Sequence, residues 1–268
     1  MTSRRLDQVT PLIEDMRVLG ADLLRWRTDA DALHVHEKSE LKTEADRRAH
    51  RRLKLAIRKL DEKMPIVSEE DAVHTDDRPG AYWLIDPIDG TASWLGGFDG
   101  FVTQAAFMEG SEPILGLIYA PALDLFYTAA KGEGAWLNGQ PLPALGLHDG
   151  LSMIDNTPEP HGLCASLFAY LGGTGYVESG SLGLKLCRVA DGTADLFVKD
   201  VVVRDWDLAP AKVLLDEIGA ELCGFDAKPF PFSGTWEKAT GIIAARNRAT
   251  GVSCVDAIQA LKSKSGGV

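Results

Sequence analysis

The chain has 268 residues, 45% hydrophobic and 25% charged, enough for one large domain or two packed halves with a full core. With 39 acidic against 28 basic residues the net charge is -11. No basic stripe runs through it, which excludes a nucleic-acid polymer as partner. The run Asp46-Arg47-Arg48-Ala49-His50-Arg51-Arg52 reads as a solvated helix face. An acidic chain can still bind phosphate when metal ions supply the positive charge. The N-terminal MTSRRLDQVT has no apolar signal core, and no apolar run reaches roughly 18 residues. The expectation is a soluble, cytoplasmic protein without a membrane partner. Cys164, Cys187, Cys223 and Cys254 lie far apart with no CxxC pair, and read as buried free thiols.

In chain order, residues 6–27 carry Leu6, Val9, Ile13, Met16, Leu19, Leu23 and Leu24 at helical spacing, predicting an amphipathic helix that ends near Trp26. Residues 44–63 repeat the pattern with Leu53, Ile57 and Leu60, and Pro65 stops it. Short β-like runs follow at 66–68, 82–85, 101–108, 114–119 and 124–129, punctuated by Gly, Pro or charged residues. Residues 131–134 form a turn, and 135–139 another strand and turn. Next come a strand near 152–155, helices over 162–171 and 183–191, and a strand at 194–198. A strong helix over 208–218 is closed by Gly219. A strand at 242–245 and a helix over 253–262 precede the low-complexity tail SKSGGV. Layered helices and sheets of α/β (α+β) class follow. A change of character near 140–150 separates an N-terminal half, 1–145, from a C-terminal half, 146–268.

Four acidic positions follow or cap regular elements, where a side chain can be aimed rigidly. Ser68-Glu69-Glu70-Asp71 comes directly after the short strand Ile66-Val67, and taken alone reads as a solvated turn. Asp86-Pro87-Ile88-Asp89-Gly90-Thr91 comes directly after an apolar strand. Two carboxylates there are costly unless solvated, hydrogen-bonded or bound to metal. Pro87 fixes one φ angle and Gly90 allows a tight bend, so both can converge on one point. The backbone N–H groups of Gly90 and Thr91 then suit a phosphate oxygen. Asp207 stands at the start of the 208–218 helix, where capping alone would explain it. Thr43 with Asp46 three residues on resembles a capping box. Mg²⁺ prefers oxygen ligands, and two such ions can clamp an in-line phosphoryl displacement. Glu69, Asp86, Asp89 and Asp207 supply the carboxylates such a pair needs. No Cys or Ser stands in a recognisable nucleophile motif, so the expected attack is by water, without a phospho-enzyme.

Glu69-Glu70, DPIDGT at 86–91, GSLGLKLC at 180–187 and WDLAPA at 206–211 occur in the order seen in the inositol monophosphatase superfamily, which the chain resembles from about Thr43 to Gly219. The resemblance implies a layered αβαβα sandwich, Mg²⁺ dependence with two or three ions, Li⁺ sensitivity and a homodimer. It implies that Glu69, Asp86 and the carbonyl of Ile88 hold one metal, and Asp86, Asp89 and Asp207 a second. Asp46 and Thr91 would act with Glu69 in activating the water, with Glu70 behind them. Substrate would meet Asp89, Gly90, Thr91, Gly180, Ser181, Lys185, Asp200 and Asp207. PIVSEED at 65–71, Tyr82–Ile85 and Lys185 in GLKLC resemble the bacterial 3'(2'),5'-bisphosphate nucleotidases. Ala92-Ser93-Trp94-Leu95 departs from the Lys-Glu-Phe usual in that branch after DPIDGT, and from the Thr-Asn-Phe usual in inositol monophosphatases. The Arg-Ser-His stretch of the nucleotidases has no counterpart near 152–162. The expected activity is therefore hydrolysis of a small phosphate monoester, a nucleotide bisphosphate first and inositol 1-phosphate as the alternative. A catalytically idle sensor of metal or phosphorylated ligand is the reading outside enzymology.

Overall fold

The computed structural model describes residues 5–37, 41–146 and 149–265, which leaves the last three residues of the SKSGGV tail and two of the expected boundary outside. Where one opening helix is predicted, two form: α1 (Arg5–Gln8) and α2 (Thr10–Trp26). Pro11 has no N–H to continue a helix, but suits the first turn of a new one. A short strand pair, β1 (Val35–Glu37) and β2 (Lys42–Thr43), leads into α3 (Glu44–Leu60). Then come β3 (Ile66–Ser68), β4 (Ala81–Asp89), α4 (Thr91–Leu95), β5 (Val102–Glu109), β6 (Glu112–Ala120), β7 (Leu125–Ala130), β8 (Gly134–Leu137) and β9 (Gln140–Pro141). The remainder comprises β10 (Ser152–Asp155), α5 (Gly162–Leu171), β11 (Gly175–Glu178), α6 (Leu182–Ala190), β12 (Leu196–Lys199), β13 (Val203–Arg204), α7 (Asp205–Glu217), β14 (Glu221–Cys223), β15 (Glu237–Lys238), β16 (Ile242–Ala245) and α8 (Arg248–Ser265).

Strands β3 to β9 form a 7-stranded sheet in sequence order, antiparallel except for the parallel pair β3–β4. A 5-stranded sheet has the order β11-β10-β12-β16-β14. Side chains alternate between the faces of the large sheet, as a strand dictates. Trp83, Ile85, Leu117 and Tyr119 pack with Leu12, Leu19, Leu53 and Ile57 of α2 and α3. Tyr82, Leu84, Val102, Ile118 and Tyr127 face the other way, onto Leu184, Leu186, Leu208 and Leu214 of α6 and α7. Those two helices also meet Ile154, Phe197, Ile242 and Ala244 of the small sheet. The small sheet's far face, with Met153, Leu196 and Ile243, packs on Leu167 of α5 and Val255 and Ile258 of α8. The result is the expected αβαβα order of layers. Its central apolar cluster takes side chains from both sides of residue 145.

Gly116 on β6 lies under α7 so closely that a Cβ there would stand 2.0 Å from the Pro210 carbonyl oxygen. All four cysteines are buried and free, as read from their spacing. Among the described residues, no helix is long and apolar enough to cross a membrane.

Candidate active site

The parallel ladder β3–β4 aims the first two carboxylates. Glu69 follows β3 directly, and its N–H still pairs with the Ile85 carbonyl at 3.1 Å. β4 does not stop at Ile85, as the sequence suggests, but runs on through Asp86-Pro87-Ile88-Asp89. Its pairing with β5 is irregular there. Asp86 stands opposite Gln104 and Asp89 opposite Val102, three steps on one strand against two on the other. Strict alternation would send Asp86 and Asp89 to opposite faces; the bulge turns them to one side. Gly90 then adopts φ +87, and a Cβ on it would press on Ser181 at 3.0 Å.

Asp89 reaches the start of α6. Its carboxylate accepts the N–H of Gly183 at 2.7 Å and of Leu182 at 3.3 Å. The positive end of that helix favours the anion. Asp207 is not the N-cap that the sequence suggests. α7 begins at Asp205, so Asp207 is the third helical residue, and its carboxylate accepts the Arg204 N–H at 2.7 Å. The helix starts earlier because Asp205 anchors it: fully buried, its carboxylate meets Arg78 at 2.6 Å and Lys238 at 3.2 Å. Pro210 therefore lies in the second turn, not the first.

Asp46 does form the predicted capping box, taking the Thr43 N–H at 2.7 Å. Its other oxygen is 3.1 Å from the Thr91 hydroxyl, which stands equally 3.1 Å from the Ile88 carbonyl. One hydroxyl proton cannot serve both acceptors, so Thr91 keeps a lone pair for a third group. Glu70 stands 3.9 Å from Lys42 and is pushed up to about 7, chiefly by burial.

Electrostatics single out the carboxylates. Burial, then the charges of Glu69, Asp89 and Asp207, push Asp86 well above the usual carboxylate range. Burial, Asp89 and Glu69 do the same to Asp207. Glu69 and Asp89 are raised by burial, against opposing hydrogen bonds from Asp86 and from the Gly183 amide respectively. Among the described residues no three such side chains close on one point at ligand distance. Asp86 is near enough to Glu69, Asp89 and Asp207 for their charges to act on it, which puts the four around one space. Carboxylate oxygens with the Ile88 carbonyl beside them are a donor set for a hard divalent cation, which would offset the like-charge repulsion that adds to burial in raising Asp86 and Asp207.

Two cavities flank this space. One, of about 680 Å³, is lined by Glu69, Glu70, Arg47, Arg204 and Trp206. The other, of about 480 Å³, is lined by Asp89, Gly90, Phe98, Gly180, Ser181, Lys185 and Lys199. Gly180 and Gly100 are in mutual contact, and neither has room for a Cβ. The Ser181 N–H donates to Gly100 O at 2.6 Å, closing the wall. Lys185 is buried and donates to the Gly180 carbonyl; burial lowers its pKa to about 8. Phe98 is 40% exposed on a loop held by Arg27, which meets the Phe98 carbonyl and, at 3.0 Å, Asp99. Asp200 does not line this cavity. It borders a smaller cleft of about 180 Å³ that shares Asn156 and Lys199 with it. Sequence reasoning missed Phe98 and Gln104. The one signal for Gln104 was a lone amide inside the apolar run FVTQAAFM.

Residues 6–262 match the Inositol monophosphatase family. The 3'(2'),5'-bisphosphate nucleotidase CysQ of Escherichia coli O157:H7 is 30% identical, with 85% of this chain and 94% of that protein covered. The fructose-1,6-bisphosphatase/inositol-1-monophosphatase of Thermotoga maritima is 29% identical over 83% of this chain and 87% of its own length. The solved structure of a Thermotoga maritima IMPase superposes with a TM-score of 0.78 at 25% identity, covering 94% of this chain and 96% of that one.

Proposed function

Since this chain belongs to the inositol monophosphatase family and is thereby a phosphoric monoester hydrolase, we propose that it is a Mg²⁺-dependent, Li⁺-sensitive nucleotidase that removes the 3'-phosphate of a nucleoside 3',5'-bisphosphate. The observation that carries the choice of substrate is Lys185. It is buried in the wall that also holds Asp89, and its ammonium touches no carboxylate among the described residues. The charges of Asp89 and Asp155 already act on that cation, and a second phosphate would add an anion on its side of the site that a one-phosphate ester does not bring. The half-exposed ring of Phe98 on the same wall suits a base, and the CysQ relatives carry this activity in their name.

In this reading Glu69, Asp86, Asp89, Asp207 and the Ile88 carbonyl hold two or three Mg²⁺ ions. Bound there, the ions would lower the pKa of water and offset charge on the transferring phosphoryl group. The N–H groups of Gly90 and Thr91 orient the phosphate. The Thr91 hydroxyl, fixed between Asp46 and Ile88, accepts a hydrogen bond from the attacking water, and Asp46 is the base behind it.

The test is Mg²⁺-dependent phosphate release from adenosine 3',5'-bisphosphate and from inositol 1-phosphate, each with and without Li⁺. The expected preference for the nucleotide is about 100-fold in kcat/KM, roughly 2.7 kcal/mol of differential transition-state binding. The reverse preference assigns the chain to inositol phosphates. Turnover of neither, with Mg²⁺ bound, would favour a sensor.

A further inference from the structure

Gln104 is fully buried on β5, on the face turned to α6 and α7 and opposite Asp86 in the ladder. Its side-chain nitrogen lies 3.1 Å from the Trp206 carbonyl oxygen, 3.4 Å from that of Asp207 and 3.4 Å from the Asp89 carboxylate. All three are acceptors. The amide therefore presents its NH₂ to them; turned over, its oxygen would face three others. The side-chain oxygen points to α6, where a Cβ on Gly183 would stand 2.3 Å from it.

The Trp206 carbonyl needs this donor for a reason written in the chain. In a helix it would accept the N–H of residue 210. Residue 210 is proline and has none. A carbonyl buried without a partner is destabilising, and this one stands next to Asp207.

We propose that Gln104 is a positioning residue of the metal site: its amide replaces the N–H that Pro210 lacks, holds the first turn of α7 against β5, and so fixes Asp207 relative to Asp89. This rests on the reading that Asp89 and Asp207 hold cations. Outer partners of metal ligands commonly contribute 10-fold or more to metal affinity.

The experiment titrates Mn²⁺ into the metal-stripped protein and follows free Mn²⁺ by its EPR signal, with no substrate present. Gln104→Met keeps the volume and removes the donor. The expected result is Mn²⁺ affinity about 10-fold weaker than wild type. In Gln104→Met with Pro210→Ala, the backbone N–H gained at position 210 can donate to the Trp206 carbonyl, and affinity returns to within about threefold of Pro210→Ala alone. That pair carries the test even if Gln104→Met by itself does not fold. Unchanged affinity in Gln104→Met would overturn the proposal. So would a 10-fold loss persisting in the Pro210→Ala background, since Gln104 would then act through another contact. Failure of the wild type to bind Mn²⁺ would instead remove the metal-site reading beneath it.

Discussion

Asp86 has no solvent with which to share a charge, and three other carboxylates act on it. Its folded pKa is raised, so the metal-free fold has its full stability below the ordinary value of 3.8 and loses it as pH rises through the folded value. Asp86→Asn should abolish turnover, by roughly 1000-fold or more (~4 kcal/mol). It should also raise the melting temperature in EDTA at pH 8 more than at pH 5; melting and activity measured together check both halves. Lys185 gives the second expectation. With a pKa of about 8 it loses its charge above that pH. The ratio of kcat/KM for the bisphosphate to that for a monophosphate should then fall, by about 10-fold per pH unit. Lys185→Met should lower the ratio at pH 7 and remove its pH dependence; a pH–rate profile on both substrates decides. At this scale the sequence was most legible where charge conflicts with burial. Two aspartates closing an apolar strand announce a site. Asp207 was legible as an acid at a helix start but not as its third residue, because the anchor that moves the start, Asp205 with Arg78 and Lys238, is assembled from distant segments. Gln104 carries no such conflict in sequence, and its role appears only when the proline of another element lies above it.

At the scale of elements, β6 and α7 meet in direct backbone contact. Gly116 admits no side chain against the Pro210 backbone, and main chain cannot swing away as a flexible side chain would. Gly116→Ala should destabilise by about 1–3 kcal/mol. Because the helix it displaces carries Asp207, it should also weaken Mg²⁺ activation; denaturant unfolding and a Mg²⁺ titration of activity check the two effects. α3 and the meander of the large sheet were readable from their periods, and α7, buried on nearly every side, from its helix-forming run and the closing Gly219. The elements missed have physical excuses. β11 is an edge strand with no buried residue to set an alternation, β1, β2, β9, β13, β14 and β15 run two or three residues each, and α4 is a helix of only five. The break between α1 and α2 was hidden because the apolar period continues through it; only Pro11 marks it.

Across the whole molecule, the candidate ligands stretch from Asp46 to Asp207 and come together only where the layers meet. Asp89 from the large sheet closes on the amides of Leu182 and Gly183, and the Ser181 N–H closes on Gly100. Periodicity by itself gave only layered helices and sheets; the αβαβα order was what the family resemblance of the motifs implied. The shared central cluster could not be anticipated, since the change of composition near 140–150 suggests a seam where the packing is continuous. The parts of a centre so distant in sequence gather only through long-range contacts, which we expect to form after the folding barrier. Mg²⁺ should then stabilise the native state without stabilising the transition state. In a chevron experiment the unfolding limb should drop with added Mg²⁺ while the refolding limb stays where it is. A refolding limb that rises with Mg²⁺ would mean the acidic cluster gathers early, with the cation nucleating the fold that surrounds it.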